Sequence, residues 1–529
     1  MTPIAAPHVE YALIAPILIV SGGAVLATLV EALLPRRGRF AAQAGLAAAT
    51  VVAALIDTVW VYRSLDAIGD LGRGQISTEG ALAVDGPGVL TWGFVLVFAL
   101  LSVAMFAERR LEGGLSAFTG RAADAPGSAG EAQARSAGLE HTEVFPLALF
   151  AVLGMMVFAT ANDLLTMFVA LEVLSLPLYV LCGLARRRRI LSQEAALKYF
   201  LLGAFSSAFF AYGIALAYGY AGGMQLADID RAVASRQDGG NLLLAAIGLM
   251  AVGLLFKVGA VPFHSWTPDV YQGAPTPVTA FMAAGTKAAA MVALMRVLYV
   301  SFGGAAVDWR PLLAAVAVAT MVLGSLVAIA QTDVKRMLGY SSVAHAGFLI
   351  VGVAGAFAAA GRITSISSVL FYLFAYGVST IGAFAVVTVV RGPAASGGGE
   401  ATHLSHWAGL GKVSPPMAGA FAIFLLSFAG IPLTGGFIGK WGVFAAAMSG
   451  GFWPLVVIGV LVSAVAAYFY VRVIVVMFFT DPVGDGPDVI VPSGLTTVVI
   501  AVAAIVTLGL GILPGPALDL VQHAGLFVR

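Results

Sequence analysis

The chain has 529 residues, 60% of them hydrophobic and 10% charged, with a formal net charge of +1. So few charges cannot cover the surface of a soluble domain this long, which excludes a soluble globular protein and leaves an integral membrane protein. The single cysteine, Cys182, excludes an internal disulfide, a CxxC pair and a cysteine-bound iron–sulfur cluster.

A run of ~20 apolar residues can cross a ~30 Å hydrocarbon core. About fourteen are predicted: 11–34, 40–62, 87–107, 143–161, 163–185, 195–221, 241–262, 275–301, 311–330, 337–359, 365–390, 415–446, 453–480 and 492–514. The fold class is therefore all-α and polytopic. The first run lacks a preceding basic stretch and a following cleavage site, so it is predicted to stay as a helix. The two longest runs, 275–301 and 415–446, are expected to contain breaks. Residues 108–141 and 392–404 are rich in Gly, Ala and Ser and are predicted to be flexible surface loops.

Loop charge predicts orientation. With the N-terminus outside, the cytoplasmic loops carry 15 basic residues: Arg36, Arg37, Arg39, Arg109, Arg110, Arg121, Arg135, Arg186, Arg187, Arg188, Arg189, Lys335, Arg336, Arg391 and Lys412. The outer loops carry 7: Arg63, Arg73, Arg231, Arg236, Arg310, Arg362 and Arg529. This is the direction of the positive-inside rule, and an even span count returns the C-terminus outside. The Arg186–Arg189 run follows a span directly. It is predicted to orient the chain beside lipid phosphates rather than to bind nucleic acid.

Lysine is rare, occurring at 198, 257, 287, 335, 412 and 440 against 22 arginines. Lys257, Lys287 and Lys440 nevertheless fall inside apolar runs, where a cation is costly. Arginine keeps its proton in proteins, whereas a buried lysine can release one. Glu172 lies about ten residues into a fourth run, and its charge needs a partner, for which Lys257 is the candidate. Changing the Glu172–Lys257 distance would change proton affinity. These four residues are the predicted proton path.

Lys257 precedes Pro262 by five residues, and a proline there must disturb the helix. His264 follows, and Pro275 and Pro277 suit the start of the next helix, with Lys287 ~15–18 Å along it. Gly430, Pro432, Gly435 and Gly436 likewise precede Lys440. Broken membrane helices in corresponding positions point to inverted repeats and an ion path, with Lys257 and Lys440 as matching positions. The predicted division is 1–142 (three helices and a polar loop), 143–301 and 302–480 (two inverted five-helix repeats), and 481–529 (a C-terminal helix). His264 and His345 are candidate relays, with a plain loop or core histidine as the alternative for each. Lys198 follows Glu194 by four residues and is expected to pair with it. Arg296 and Arg472 cannot release protons and are expected to be structural anchors or field-setting charges, and Glu31 an interface residue at a helix end. No GxxxxGK[ST] motif or metal-ligand cluster occurs, so no ATP, metal or redox cofactor is expected in this chain.

The stretch KVGAVPFHSWTPDVYQGAPTPVTAFMAAGTKAA (257–289) closely resembles the core of the antiporter-like membrane subunits of respiratory complex I, the proton-pumping NADH:quinone oxidoreductase. QTDVKRMLGYSSVAHAGF (331–348), LSFAGIPLTGGFIGKW (426–441) and YFYVRVIVVMFF (468–479) resemble further signatures of that family. The wording TPDVYQGAP resembles its N type, and Lys440 departs from the M type, which has glutamate on that helix. The three additional N-terminal spans fit a bacterial member in the cytoplasmic (inner) membrane.

The resemblance implies a non-redox subunit of a translocase. In it Glu172 matches the fifth-helix glutamate, Lys257 the seventh-helix lysine it modulates, Lys287 the eighth-helix lysine, and Lys440 the twelfth-helix lysine near the outward exit. NADH, FMN, iron–sulfur clusters and quinone would reside in partner subunits. Neighbours would be the M-type and the K/A/J/H-type membrane subunits. Two rivals stay open: a subunit of a multi-subunit cation/proton antiporter, against which YQGAP argues, and a scaffold whose buried charges only fix helix packing.

Overall fold

In the computed structural model the described residues are 9–68, 72–235, 240–355, 359–360, 363–392, 399–482 and 486–528. The helices, in chain order, begin with α1 (Tyr11–Leu33), α2 (Arg36–Ser64), α3 (Gly86–Phe106), the short α4 (Ala129–Ser136), α5 (Val144–Thr160), α6 (Leu164–Cys182) and α7 (Arg189–Ala221). There follow α8 (Leu226–Ser235), α9 (Gly240–Val258), α10 (Trp266–Gly273), α11 (Thr276–Arg296), α12 (Ala306–Ile329), α13 (Val334–Ala354) and α14 (Ser365–Val389). The last are α15 (Leu410–Val413), α16 (Pro415–Ala429), α17 (Gly435–Ser449), α18 (Trp453–Phe479), α19 (Gly494–Ile512) and α20 (Gly515–Gln522).

Each of the fourteen predicted runs carries a helix. Among the described residues, twelve helices are long and apolar enough to cross a membrane, and Val144–Thr160 and Pro415–Ala429 are shorter apolar helices. Burial sorts them into an inner and an outer set. The α11 window is wholly buried and those of α13 and α14 are 94% buried, whereas α1, α2 and α18 are each 33% buried. The outer helices present leucine, valine and aromatic side chains outward, as lipid contact requires. The inner three include Lys287 on α11 and His345 on α13.

The predicted breaks are partly displaced. The run 241–262 stops at Val258, and residues 259–265 separate α9 from α10 across Pro262. The run 275–301 holds no break: α11 is continuous and passes into a π turn, Val297–Ser301. The run 415–446 is broken as expected, into α16 and α17 of 15 residues each. At ~1.5 Å per residue either half is ~22 Å, too short to span alone. Gly430 closes α16 at φ +81, the left-handed region that glycine enters without strain. A Cβ on Gly436 would lie 1.9 Å from the Ser427 carbonyl oxygen, so only glycine lets the second half-helix pack against the end of the first.

The 108–141 segment is not a loose loop, because the arginines after α6 hold it down. Arg186 donates to the Ser116 and Leu139 carbonyls, and Arg187 to Glu112 at 2.6 Å. Arg189 is buried and donates to the Ala122 carbonyl, with Glu131 at 3.5 Å. Arg188 donates to Thr402. All four side chains make intramolecular contacts. Glu31 lies in the last turn of α1 and accepts from Arg39, Gln43 and Thr142. Of the 392–404 loop, residues 393–398 lie outside the described residues, as do Arg236, Arg362 and Arg529 and the Arg37 side chain.

Two backbone clasps have the same form. Leu164 N donates to the Met224 carbonyl and Leu226 N to the Asn162 carbonyl. Val334 N donates to the Thr402 carbonyl and Leu404 N to the Thr332 carbonyl. Each clasp includes an aspartate that caps the following helix, Asp163 on Thr166 N and Asp333 on Arg336 N. Following the chain back and forth through the bundle, the first clasp lies on one face and the second on the other. The second face is the arginine-rich one.

On the face opposite the arginines, Arg296 and Asp85 form a bidentate pair at 2.7 and 2.8 Å with neither side chain exposed. Asp85 also accepts from Gly88 N and Val528 N, and Arg296 donates to the Ala159 carbonyl. One pair thus ties the start of α3, the ends of α5 and α11 and the C-terminal segment, confirming Arg296 as an anchor. Asp85→Ala or Arg296→Leu alone leaves an uncompensated buried charge, at a cost of about 3–5 kcal/mol. Either single variant is expected to unfold at clearly lower temperature in detergent, and the Asp85→Leu/Arg296→Leu double variant to recover part of the loss. Single variants as stable as the parent would show that the pair is not what pins these segments.

Candidate proton-conducting site

Three buried lysines lie at three levels of solvation by the protein. Lys440 is fully served. Its ammonium donates to the Phe428 carbonyl at 2.9 Å, the Ala429 carbonyl at 3.0 Å and Ser463 Oγ at 2.8 Å, three acceptors for three N–H groups. The two carbonyls end α16, where the helix leaves acceptors unpaired and its dipole is negative. The Phe348 ring lies 4.6 Å beneath the ammonium.

Lys287 is the twelfth residue of α11, ~16 Å from its start. It donates to the Ser342 carbonyl and to Ser342 Oγ, both on α13, and faces the Tyr376 ring at 5.4 Å. Lys257, the penultimate residue of α9, has the Tyr179 hydroxyl at 3.3 Å as its one protein acceptor among the described residues, with the Tyr179 and Tyr199 rings at 5.2 and 5.3 Å. All three are at most 5% exposed, so snorkelling to the interface does not account for them.

The expected Glu172–Lys257 ion pair is not made directly. No carboxylate oxygen lies within 4.0 Å of the Lys257 ammonium, and Glu172 Oε1 is buried without a partner among the described residues. Tyr179, two helical turns after Glu172 on α6, takes the lysine instead. Glu172 and Lys257 are thus separated by more than ion-pair distance, with the Tyr179 hydroxyl on the lysine. Nor do Lys257 and Lys440 match along the chain. Lys257 precedes its break, whereas Lys440 follows its break and reaches back to it. What they share is position beside the C-terminal end of a first half-helix.

His345 is 1% exposed on α13. Its Nδ1 is hydrogen-bonded to the Tyr372 hydroxyl at 2.7 Å and its Nε2 to the Tyr470 hydroxyl at 3.2 Å, and its ring stacks on Tyr376. Tyr470 is also bonded to Ser341, next to the serine that holds Lys287. These hydroxyl and imidazole groups, which can both donate and accept, lie on and beside α13, whose Ser342 holds Lys287, and no hydrogen bond among the described residues joins them to Lys440. His264 sits in the α9–α10 break, half-buried, with Nδ1 unpartnered among the described residues. The structure joins it to none of the lysines. Lys198 pairs with Glu194 as expected, and also with Asp269 on α10.

Lys335, predicted from its position to be an orienting loop charge, is 2% exposed in the first turn of α13. It donates to the Ala274 carbonyl and Thr276 Oγ1, each at 2.9 Å. Sequence reasoning also passed over Tyr179, Tyr271, Ser342, Tyr372, Tyr470 and Ser463, because a lone hydroxyl in an apolar run carries no charge to mark it. The available signal was clustering: Ser341, Ser342 and His345 sit within five residues on one helix. Among the described residues no group of histidine, cysteine and carboxylates could hold a metal.

Residues 161–466 match the family model described as NADH:quinone oxidoreductase/Mrp antiporter, TM. The chain is 58% identical to NADH-quinone oxidoreductase subunit N of a Nocardioides species over 99% of both chains. A chain in the structure of respiratory complex I from Thermus thermophilus with bound aureothin is 34% identical, with a TM-score of 0.75 over 96% of this chain and all of that one. A chain of the Mrp complex from a Dietzia species superposes with a TM-score of 0.78 over 97% of each chain at 21% identity, a likeness of fold alone. The protein belongs to the family of NADH-quinone oxidoreductase N subunits, within the antiporter-like group of membrane proteins.

Proposed function

We propose that this chain is the N subunit of a bacterial NADH-quinone oxidoreductase. In this reading it moves a proton across the cytoplasmic membrane in response to quinone reduction elsewhere in the complex. Glu172, Lys257, Lys287 and Lys440 carry the charge, and His345 relays between the last two. NADH, FMN, iron–sulfur clusters and quinone belong to partner subunits. The M-type and K/A/J/H-type membrane subunits flank the chain. The positive-inside rule puts the arginine-rich face in the cytoplasm and both termini outside. The matching clasps on opposite faces support two inverted repeats, 143–301 and 302–480.

The observation that carries the reading is the graded solvation of three buried lysines. A proton held at Lys440 is stabilised by three acceptors, at Lys287 by two atoms of one serine, and at Lys257 by one long hydroxyl contact. Lys257 is thus the group whose charge responds most to a neighbour. Approach of the Glu172 carboxylate holds the cation, and withdrawal leaves it poorly solvated. A packing-only role explains a fully bonded lysine but not this one, because a buried charge left half-solvated costs stability.

Three outcomes follow. In the whole complex reconstituted in liposomes, Lys287→Met is expected to assemble and to lose quinone reduction and proton pumping together. Normal activity in both would make the lysine structural and move the scaffold reading ahead. Lys257→Ala and Glu172→Ala should impair coupled turnover far more than Lys198→Ala, and equal losses would undo the assignment of roles. Tyr179→Phe removes only the hydroxyl that holds Lys257. A hydrogen bond to a charged group contributes about 1.5–3 kcal/mol, so coupled turnover should fall roughly tenfold or more. Parent-like turnover would mean that Glu172 alone governs Lys257.

A further inference from the structure

A cavity of about 740 Å³ opens on the arginine-rich face, under the 117–136 segment. Its inner end is built by Lys335, Glu400 and Thr276. Glu400 is a quarter exposed, and its carboxylate accepts from Thr276 Oγ1 at 2.7 Å and lies 3.8 Å from the Lys335 ammonium. Lys335 itself is buried, with the Ala274 carbonyl and Thr276 Oγ1 as acceptors for two of its three N–H groups. The other charged groups near it are Asp333 on the capping turn and Arg188 after α6. A partly exposed carboxylate thus lies 3.8 Å from a buried amine, with Thr276 Oγ1 bonded to both, at the joint where α10 passes into α11, the helix of Lys287.

Beyond Lys335 the polar groups continue along α13. Ser342 is seven residues on and His345 ten, on one side of the helix. Seven residues are ~10 Å along the helix axis. Ser342 holds Lys287 and is bonded to the Tyr271 hydroxyl. The bland alternative is a cation that staples the α10–α11 joint to α13. An arginine would do that without a cavity-facing carboxylate, and 22 of the 28 Lys and Arg residues here are arginine.

We propose that Glu400 and Lys335 form the uptake gate through which cytoplasmic protons reach Lys287. Glu400 takes a proton from cavity water. The carboxylic acid passes it to the neutral Lys335 amine, leaving carboxylate and ammonium in the paired state. The ammonium then gives its proton inward and returns to the amine. The gate rests on the proton-path reading above and assigns its entrance.

The test uses the whole complex in liposomes, with assembly checked on native gels and Lys287→Met alongside. Glu400→Gln keeps the size but not the proton site, and Lys335→Arg keeps the cation but cannot release a proton. Both are expected to lower coupled turnover several-fold. Glu400→Gln should also move the dependence of turnover on cytoplasmic-side pH, and Glu400→Asp should restore rate and profile. Parent-like turnover and profile in both variants, where Lys287→Met has stopped pumping, would overturn the gate and leave the proton path standing. A loss in Glu400→Gln with an unshifted profile would mark a structural contact and overturn it equally. Should Lys335→Arg fail to assemble, the Glu400 pair of variants decides. Intact pumping in Lys287→Met would instead sink the reading on which the gate depends.

Discussion

A cation inside a bundle that faces lipid must be solvated by the protein, because no water-rich surface is within reach of its side chain. Much of this fold follows from that requirement. An unbroken helix keeps its carbonyls for itself. A broken one frees the last turn, and α16 ends with two carbonyls turned onto Lys440. The break is therefore not a packing defect but the source of a cation site. Gly430 makes the exit from the helix possible, and Gly436 lets the second half-helix close on the first.

The same requirement explains the inner helices. α11, α13 and α14 are enclosed by other helices, so their serine, tyrosine and histidine side chains never meet lipid. They place groups that can both donate and accept in the interior, which the proposed proton path requires. The outer helices need only be apolar, and Arg296–Asp85 and the arginine-held 108–141 segment fix the two ends of the bundle. Polar atoms are thus spent at the ends and along the centre.

Much of this was legible in the residues. Apolar runs gave the helices, since hydropathy and length alone select a membrane span. Four charges within those runs marked the candidate path, because lysine and glutamate there are costly and can exchange a proton, whereas Arg296 and Arg472 in the same runs cannot release one. Glycine and proline gave both breaks, though not their span: 275–301 looked long enough to be interrupted, yet its extra residues form a π turn. Lys335 was misplaced because charge at a predicted span edge reads as loop. Only the packing of α10 and α11 over it reveals burial. The arginines at 186–189 were read as lipid-facing because their partners, Glu112, Ser116 and Glu131, lie about 60–75 residues away in sequence.

The rarity of lysine carries a last step of reasoning. Lys198 and Lys412 are surface residues with carboxylate partners, so lysine is not reserved wholly for the interior. Yet four of six lysines are buried, while the arginines, Arg296 included, sit in ion pairs or on carbonyls wherever they are enclosed. The division follows the chemistry of the two cations. Arg296 must keep its charge, since losing it would orphan Asp85 and loosen four segments. Lys257, Lys287, Lys335 and Lys440 each have neutral or distant partners, so each can lose a proton without stranding a buried anion at contact distance. Lys335 comes nearest to an exception, and its carboxylate is the one that meets the cavity.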